Sequence, residues 1–356
     1  MSAVEKLARG ALLGVVLGIV LPAVAGLVGA AGAAPAAEET VKGTDSRTDA
    51  RTDARAWPSR PLRMVVAFPP GGTTDFVARL VADRIKSALG ASVVIENKPG
   101  GNGAIAAEFV AKSEADGYTL FFSTAGALAI NPAVRTDLSY DPVRDFAGVA
   151  PVVRNTVLFA AGPALQVETA RELIELARAR PGTITVAVTG VGAISHLGVE
   201  LLQRAAGIRL QYVPYRGGGQ AISDLIGGQV GAMNADLPSL MAQLRSDRVR
   251  GLAVASAHRS DVLPDIPTWG EVGLPGVIAE NWSAVVVPAG TPAAIVHRLN
   301  AAVNAAVLDP DVRARFAENG VSAIGGGPDD VARLIAEETA RWREVARTVG
   351  MVPQGP

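Results

Sequence analysis

The segment Pro69-Pro70-Gly71-Gly72-Thr73-Thr74-Asp75 has the residue types of an anion site built from backbone. Gly71 and Gly72 leave the main chain bare after an apolar run. Thr73 and Thr74 add hydroxyl donors and can cap a following helix, whose first free N–H groups attract negative charge. A plain strand-to-helix turn that uses glycine only for geometry would look the same locally, and both alternatives stay open at this level. No Gly-Lys-Ser/Thr follows, so the segment is not a nucleotide-phosphate loop. Gly190-Val191-Gly192-Ala193-Ile194-Ser195 approaches a dinucleotide fingerprint, but Ser195 stands where the third glycine belongs. The stretch Leu210 to Tyr215, where an acidic residue is expected, is neutral. It reads better as a second anion-facing helix start with Ser195 as donor.

Three further segments follow apolar runs: Ser123-Thr124-Ala125-Gly126, Pro214-Tyr215-Arg216-Gly217-Gly218-Gly219 and Asn234-Ala235-Asp236. Each alone is more often structural. Together they put hydroxyls, glycines and amides at the same ends of successive strands, which is where open α/β sheets bind ligands.

Other chemistries lack their residues. The 356-residue chain has no cysteine, which excludes disulfides, thiolate catalysis and cysteine zinc sites. Its three histidines, His196, His258 and His297, stand at no metal-ligand spacing, so no metal and no cofactor is expected. Ser195 and His196 are neighbours on one predicted helix and project about 100° apart, so they cannot pair as nucleophile and base. A net charge of −1 and 4% aromatic residues give no electrostatic or stacking case for nucleic acid.

The elements that position these loops are legible from periodicity. Leu62 to Phe68 reads as a buried strand, followed by a helix with Phe76, Val77, Leu80, Val81, Ile85 and Leu89 on one face and Gly90 as its stop. Strands at Ser92 to Ile95 and Tyr118 to Phe122 flank a helix at Ala104 to Lys112. The alternation repeats: a capping box at Thr169-Ala170-Arg171-Glu172 opens a helix, strands begin at Ile184, Leu210, Val230 and Gly251, and helices run over Ser195 to Ala205 and Gln220 to Ile226. Trp282 to Val287 is another strand, and helices near 292–308, 310–319 and 329–348 finish the chain. Strand–helix–strand repeats imply parallel sheets with crossover helices. The result is two α/β units joined by short strands at Val152 to Ala160 and Asn281 to Val287, a double connection that suits a hinge.

The N-terminus has the form of an export signal. Lys6 and Arg9 precede an apolar run from Gly10 to about Ala34, and Ala31-Gly32-Ala33 offers small residues for cleavage after Ala33. A retained membrane anchor is the alternative. The Thr-Asp-rich repeat that follows carries almost no apolar residues and reads as a disordered spacer. The expected division is signal peptide 1–33, linker 34–56, first lobe 57–161 and 281–356, and second lobe 162–280.

The motifs themselves are similar to those of one family. Pro61-Leu62-Arg63-Met64-Val65-Val66 with Phe68 to Asp75 resembles the opening of Bug-type solute receptors, the binding components of tripartite tricarboxylate transporters. So do Val94 to Gly103, Asp116-Gly117-Tyr118-Thr119-Leu120, Val213 to Gly217, Leu263 to Thr268 and Pro288 to Pro292, in order along the chain. The resemblance implies two Rossmann-like lobes around a ligand cleft, of the periplasmic binding protein type II kind. It implies that Gly71, Gly72, Thr73, Thr74 and Asp75, with Ser123, Thr124, Ala125 and Gly126, recognise a carboxylate, Asp75 by ordering bound water. Ser195, Tyr215 and Asp236 would contribute from the second lobe. Arg216 stands where Lys is common and Asn234-Ala235-Asp236 replaces a more usual Asp-Asn pair, so the ligand's far end is the less determined part.

The expected function is therefore extracytoplasmic capture of a small carboxylate and its delivery to membrane transporter subunits, by a periplasmic, monomeric protein without catalysis. A ligand-sensing partner of a membrane kinase would use the same cleft. A periplasmic hydrolase using Ser195-His196 or Asp75 is the third reading.

Overall fold

The computed structural model describes residues 56–351. The signal-peptide segment 1–33 and positions 34–55 of the linker lie outside the described residues.

The first unit is a parallel set of strands, β2 (Val93–Asn97), β1 (Leu62–Val66) and β3 (Thr119–Thr124), in that spatial order. The second is β7 (Ala232–Asp236), β5 (Thr185–Val188) and β6 (Gln211–Pro214), also parallel. Between them run β4 (Phe146–Ala161) and β9 (Glu280–Pro288), antiparallel to their neighbours. Two short strands, β8 (Arg250–Val254) and β10 (Val321–Ala323), add to β4.

The two parallel sets are not separate sheets. β4 is 16 residues long and belongs to both, its first part paired with β9 and its last, Val157 to Ala161, paired with β7 and β8. The continuity is written in an apolar stretch too long for one lobe. Its register slips between Gly148 and Ala150 and between Pro151 and Val153. A proline cannot donate to the ladder, so an irregularity beside Pro151 is the expected accommodation. The chain passes between the sets at Thr156–Val157 and again at 279–280, where Ala279 donates to Ala255 O.

Helices cover both faces. α1 (Thr73–Leu89), α8 (Ala293–Val307) and α9 (Pro310–Glu318) pack on one face of the first set, burying Leu62, Met64, Val66, Val81, Ile85, Leu299 and Phe316 together. Val65 and Phe121 face the other side. There they meet α2 (Ala104–Ala111), the short α3 (Asn131–Val134) and the long α10 (Pro328–Val349), whose core also takes in α4 (Ala170–Ala179) and α5 (Ile194–Ala206). Strands buried on both faces lose the polar alternation, as β1 and β3 do. α6 (Gly218–Ile226) and α7 (Leu237–Arg245) close the second unit over Leu158, Ala160 and Met233.

Chain punctuation accounts for the helix ends. Gly90 and Gly207 take left-handed conformations after α1 and α5. Thr169 Oγ1 accepts from Glu172 N–H as the capping box predicts, while the Glu172 carboxylate reaches one residue further back, to Glu168 N–H. Among the described residues no helix is long and apolar enough to cross a membrane.

Candidate functional site

Every parallel strand delivers its loop to the same edge, and the loops meet in a cavity of about 290 Å³ between the two units. From the first unit the wall is Phe68, Pro69, Pro70, Gly72, Thr73, Thr74, Asn102, Thr124 and Gly126. From the second it is Thr189, Ala193, Ile194, Arg216 to Gln220, Asp236 and Ser239, with Asn281 from β9.

The first lip is built by Gly71 and Asp75. Gly71 adopts φ 82°, a left-handed conformation that costs a side chain about 1–2 kcal/mol. Its N–H donates to Asp75 Oδ2 at 3.0 Å. The same carboxylate accepts Arg79 Nε and Nη2 at 2.8 and 3.0 Å and Asn97 Nδ2 at 2.9 Å. Asn97 also donates to Phe68 O, tying the loop to β2. Burial alone would raise the Asp75 carboxyl, but these donors outweigh it and hold it below its ordinary value. Asp75 therefore braces the loop from behind, and it is not among the residues lining the cavity.

The expected threonine cap is not formed. Gly72 itself is the N-cap in an extended conformation with no side-chain bond, and Phe76 N–H makes the first helical bond, to Gly72 O at 3.0 Å. Thr73 and Thr74 instead sit in the first turn with N–H groups that have no carbonyl one turn back. Thr73 Oγ1 is buried without a hydrogen-bond partner. A helix of 17 residues thus opens onto the cavity uncapped, with a spare hydroxyl beside it.

The neighbouring loop contributes less than its sequence promises. Thr124 and Gly126 line the cavity, Thr124 Oγ1 accepting from Gly126 N–H. Ser123 turns to Thr124 O, and both Ser123 and Ala125 are buried off the wall. A Cβ on Gly126 would lie 2.5 Å from Asn102 Oδ1, so glycine is what admits Asn102 to the wall. Asn102 Nδ2 then donates to Gly192 O, across to the second unit.

The second lip repeats the first in outline. Gly192 has φ 73°, and its N–H donates to His196 Nδ1, four residues on, at 3.1 Å. That bond puts the ring proton on Nε2, which is 3.5 Å from Glu200. α5 opens after Ala193 with no side-chain cap. Ser195 Oγ accepts from Thr189 N–H at 2.9 Å and shares a bond of the same length with Thr189 Oγ1, so Thr189, not Ser195, reaches the cavity. Tyr215 is likewise turned away: its hydroxyl donates to Asp224, and burial with that carboxylate pushes it up to about 12. Its neighbour Arg216 lines the mouth, exposed and without a partner among the described residues. The extended Gly217 lies where a Cβ would come within 2.9 Å of Pro69 Cγ on the opposite lip, so the two units touch there as well as through Asn102.

Asp236 does face the cavity, held by Asn281 Nδ2 at 3.2 and 3.0 Å from its two oxygens. Burial pushes its carboxyl up to about 6 although Asn281 and Asn155 stabilise the charged form. Among the predicted residues the structure thus brings Gly72, Thr73, Thr74, Thr124, Gly126 and Asp236 to one cavity. Gly71 and Asp75 stand behind it, and Ser123, Ala125, Ser195 and Tyr215 lie off it. The residues sequence reasoning did not assign are Asn102, Thr189, Gln220, Ser239 and Asn281. Asn281 carried one signal, a polar residue entering an apolar strand.

Among the described residues no cluster of three His, Asp or Glu could hold a metal ion. The site offers uncapped helix starts, hydroxyls, amides, one exposed guanidinium and one carboxylate. That set can hold an anion by neutral donors but contains no assembled nucleophile and base.

The family model for tripartite tricarboxylate transporter receptors matches residues 77–351. Protein BugT of Bordetella pertussis is 37% identical over 295 residues, covering 83% of this chain and 90% of that protein. Rpa4515 of Rhodopseudomonas palustris, solved with adipate, is 38% identical, with a TM-score of 0.81 over 84% of this chain and 100% of that one. MatC (Rpa3494) from the same organism, solved with bound malate, is 34% identical, with a TM-score of 0.77 over 81% and 99%.

Proposed function

We propose that this chain, which belongs to the tripartite tricarboxylate transporter receptor family, captures a small carboxylate outside the cytoplasm and hands it to membrane transporter subunits. The observation that carries the reading is the uncapped start of α1, where free N–H groups and the unpartnered Thr73 hydroxyl open onto the cavity. A carboxylate placed there accepts several charge-assisted bonds, each worth roughly 1.5–3 kcal/mol, with the helix dipole adding to them. The relatives solved with adipate and malate support the same ligand class. The cavity of about 290 Å³ is at the small end for ligand sites and suits a short organic acid.

In this reading the lobes divide where the chain passes between the strand sets, residues 57–156 with 280–351 against 157–279, which moves the expected boundaries after 161 and before 281 back to those crossings, in a monomer held in the periplasm. The two chain passages at Thr156–Val157 and 279–280 form the hinge, and the Asn102–Gly192 bond and the Pro69–Gly217 contact latch the closed form. No chemistry is done on the ligand.

Calorimetry against straight-chain acids of roughly four to eight carbons tests the reading, with Gly72→Val as the decisive variant. A Cβ at Gly72 meets nothing nearer than Pro69 O at 3.8 Å, so the fold accepts it, while the branched side chain occupies the anion's approach. We expect at least about a tenfold loss of affinity, roughly 1.4 kcal/mol, with an unchanged circular dichroism spectrum. A folded variant of unchanged affinity would put the carboxylate elsewhere.

A further inference from the structure

The proposed carboxylate site accounts for the first lobe's wall but leaves a half-buried acid unexplained on the second. Asp236 ends β7 and lines the same cavity as Thr73 and Thr74. Asn281 Nδ2 donates to both of its oxygens and the Asn155 amide also favours its charged form, whereas an ionised carboxylate has about four acceptor positions. Its remaining lone pairs are available to whatever fills the cavity.

No cation answers it. The positions flanking its amide partners carry Arg154 on β4 and Glu280 on β9, which approach each other at 3.9 Å. Adjacent strand residues alternate faces, so these two project away from the side that Asn155 and Asn281 occupy. On α5 His196 accepts from Gly192 N–H and turns its Nε2 towards Glu200, 3.5 Å away, and on α6 Asp224 is taken by Tyr215. The one charge on α7, Arg245, bonds Glu318 O at the helix's far end. Arg216 before α6 lines the cavity but is exposed at its mouth.

We propose that Asp236 sets the ligand's second end: the cleft takes a carboxylic acid whose other terminus is a neutral hydrogen-bond donor, a hydroxyl or the acid form of a second carboxyl, and rejects a dianion. The inference rests on the carboxylate reading above and refines it. A hydroxyl donates to Asp236 at any pH. A second carboxylate meets a like charge in a desolvated place and enters only with a proton shared between the two acids. The carboxyl's upward shift to about 6 makes that proton available in mildly acidic solution.

The test compares matched ligands, hexanoate, 6-hydroxyhexanoate and adipate with their homologues of roughly four to eight carbons, by calorimetry near pH 5 and pH 8. At the higher pH the hydroxy acid should bind at least about tenfold tighter than the diacid of its length. On acidification the diacid should gain at least about tenfold with net proton uptake, while the hydroxy acid changes by less than about threefold. Asp236→Asn should give the diacid its affinity at high pH and abolish most of the difference. A diacid that binds at pH 8 as tightly as its hydroxy partner, with no change in the Asn variant, overturns this inference and leaves the carboxylate site standing. If no member of the series binds at either pH, the carboxylate reading falls and this one with it.

Discussion

The two lips of the cleft are built to one plan and spend their charged residues differently. In each, a parallel strand ends, a glycine turns left-handed, and its N–H is caught by the side chain four residues on, inside the first turn of an uncapped helix. In the first lip that acceptor is Asp75, whose charge is consumed by Arg79, Asn97 and Gly71. In the second it is a histidine, and the lobe's carboxylate, Asp236, stands in the cavity with asparagine amides alone. The same residue type thus serves as scaffold where a cation reaches it and as a cavity-facing group where none does. In the proposed reading, neutral donors meet the anion on the first lobe and an acceptor waits on the second.

The strongest way to break the comparison is to make one substitution at both acids. Asp236 has a raised folded-state pKa, so the folded protein holds its proton more tightly than the unfolded chain. Below about pH 4 both states are protonated and nothing is lost. As pH rises towards about 6 stability falls, by up to about 3 kcal/mol. Asp236→Asn removes that slope and should be more stable than the parent at pH 8, by up to the same amount, in urea denaturation. Asp75 is depressed, so its contribution is present at neutral pH and fades as pH falls through its low folded value. Asp75→Asn should destabilise by about 1–3 kcal/mol at pH 7, because the Gly71 N–H and Arg79 lose a charged acceptor. Changes of the same sign at the two positions would refute the division of roles.

That division was only partly legible in the sequence. Strand-and-glycine punctuation located the loops at 69–75, 123–126, 190–195, 214–219 and 234–236 but not the one that brings Asn102 to the cavity, and the Arg79 partner of Asp75 stands at the readable i,i+4 spacing. Which way each polar side chain turns was not readable, because the deciding partners are remote: Asn97 for Asp75, and Asn281 for Asp236, 45 residues away. Ser195 and Tyr215 were misdirected by the same cause at short range, since Thr189 and Asp224 claim them locally. The threonine cap failed because Gly72 takes the cap position with its own backbone, pushing both hydroxyls one step into the helix.

A smaller effect sharpens the likeness between the lips. His196→Phe keeps a ring tilted against Tyr212, where the centroids are 4.1 Å apart, but removes the acceptor for the buried Gly192 N–H. A cost of about 1–2 kcal/mol in denaturation is expected. A few-fold loss of ligand affinity should accompany it as the loop loosens. If stability is untouched, the second lip is not braced as the first is.

The smallest effect concerns Arg216, the cation that neither lip uses. It lines the mouth of the cavity, is exposed, and has no partner among the described residues, so its removal leaves no buried group unpaired. Surface substitutions of this kind alter stability by less than about 0.5 kcal/mol. Its influence is on approach: a free guanidinium at the entrance raises the local concentration of an anion before any contact with the α1 start forms. Arg216→Ala should slow association of a carboxylate by about two- to fivefold in stopped-flow measurements at low salt, with the dissociation rate nearly constant. At about 0.5 M salt this attraction is largely screened, and parent and variant should associate at the same rate. A difference that persists at high salt, or appears in dissociation instead, would mean that Arg216 contacts the bound ligand directly and that the second lobe supplies a cation as well as an acid.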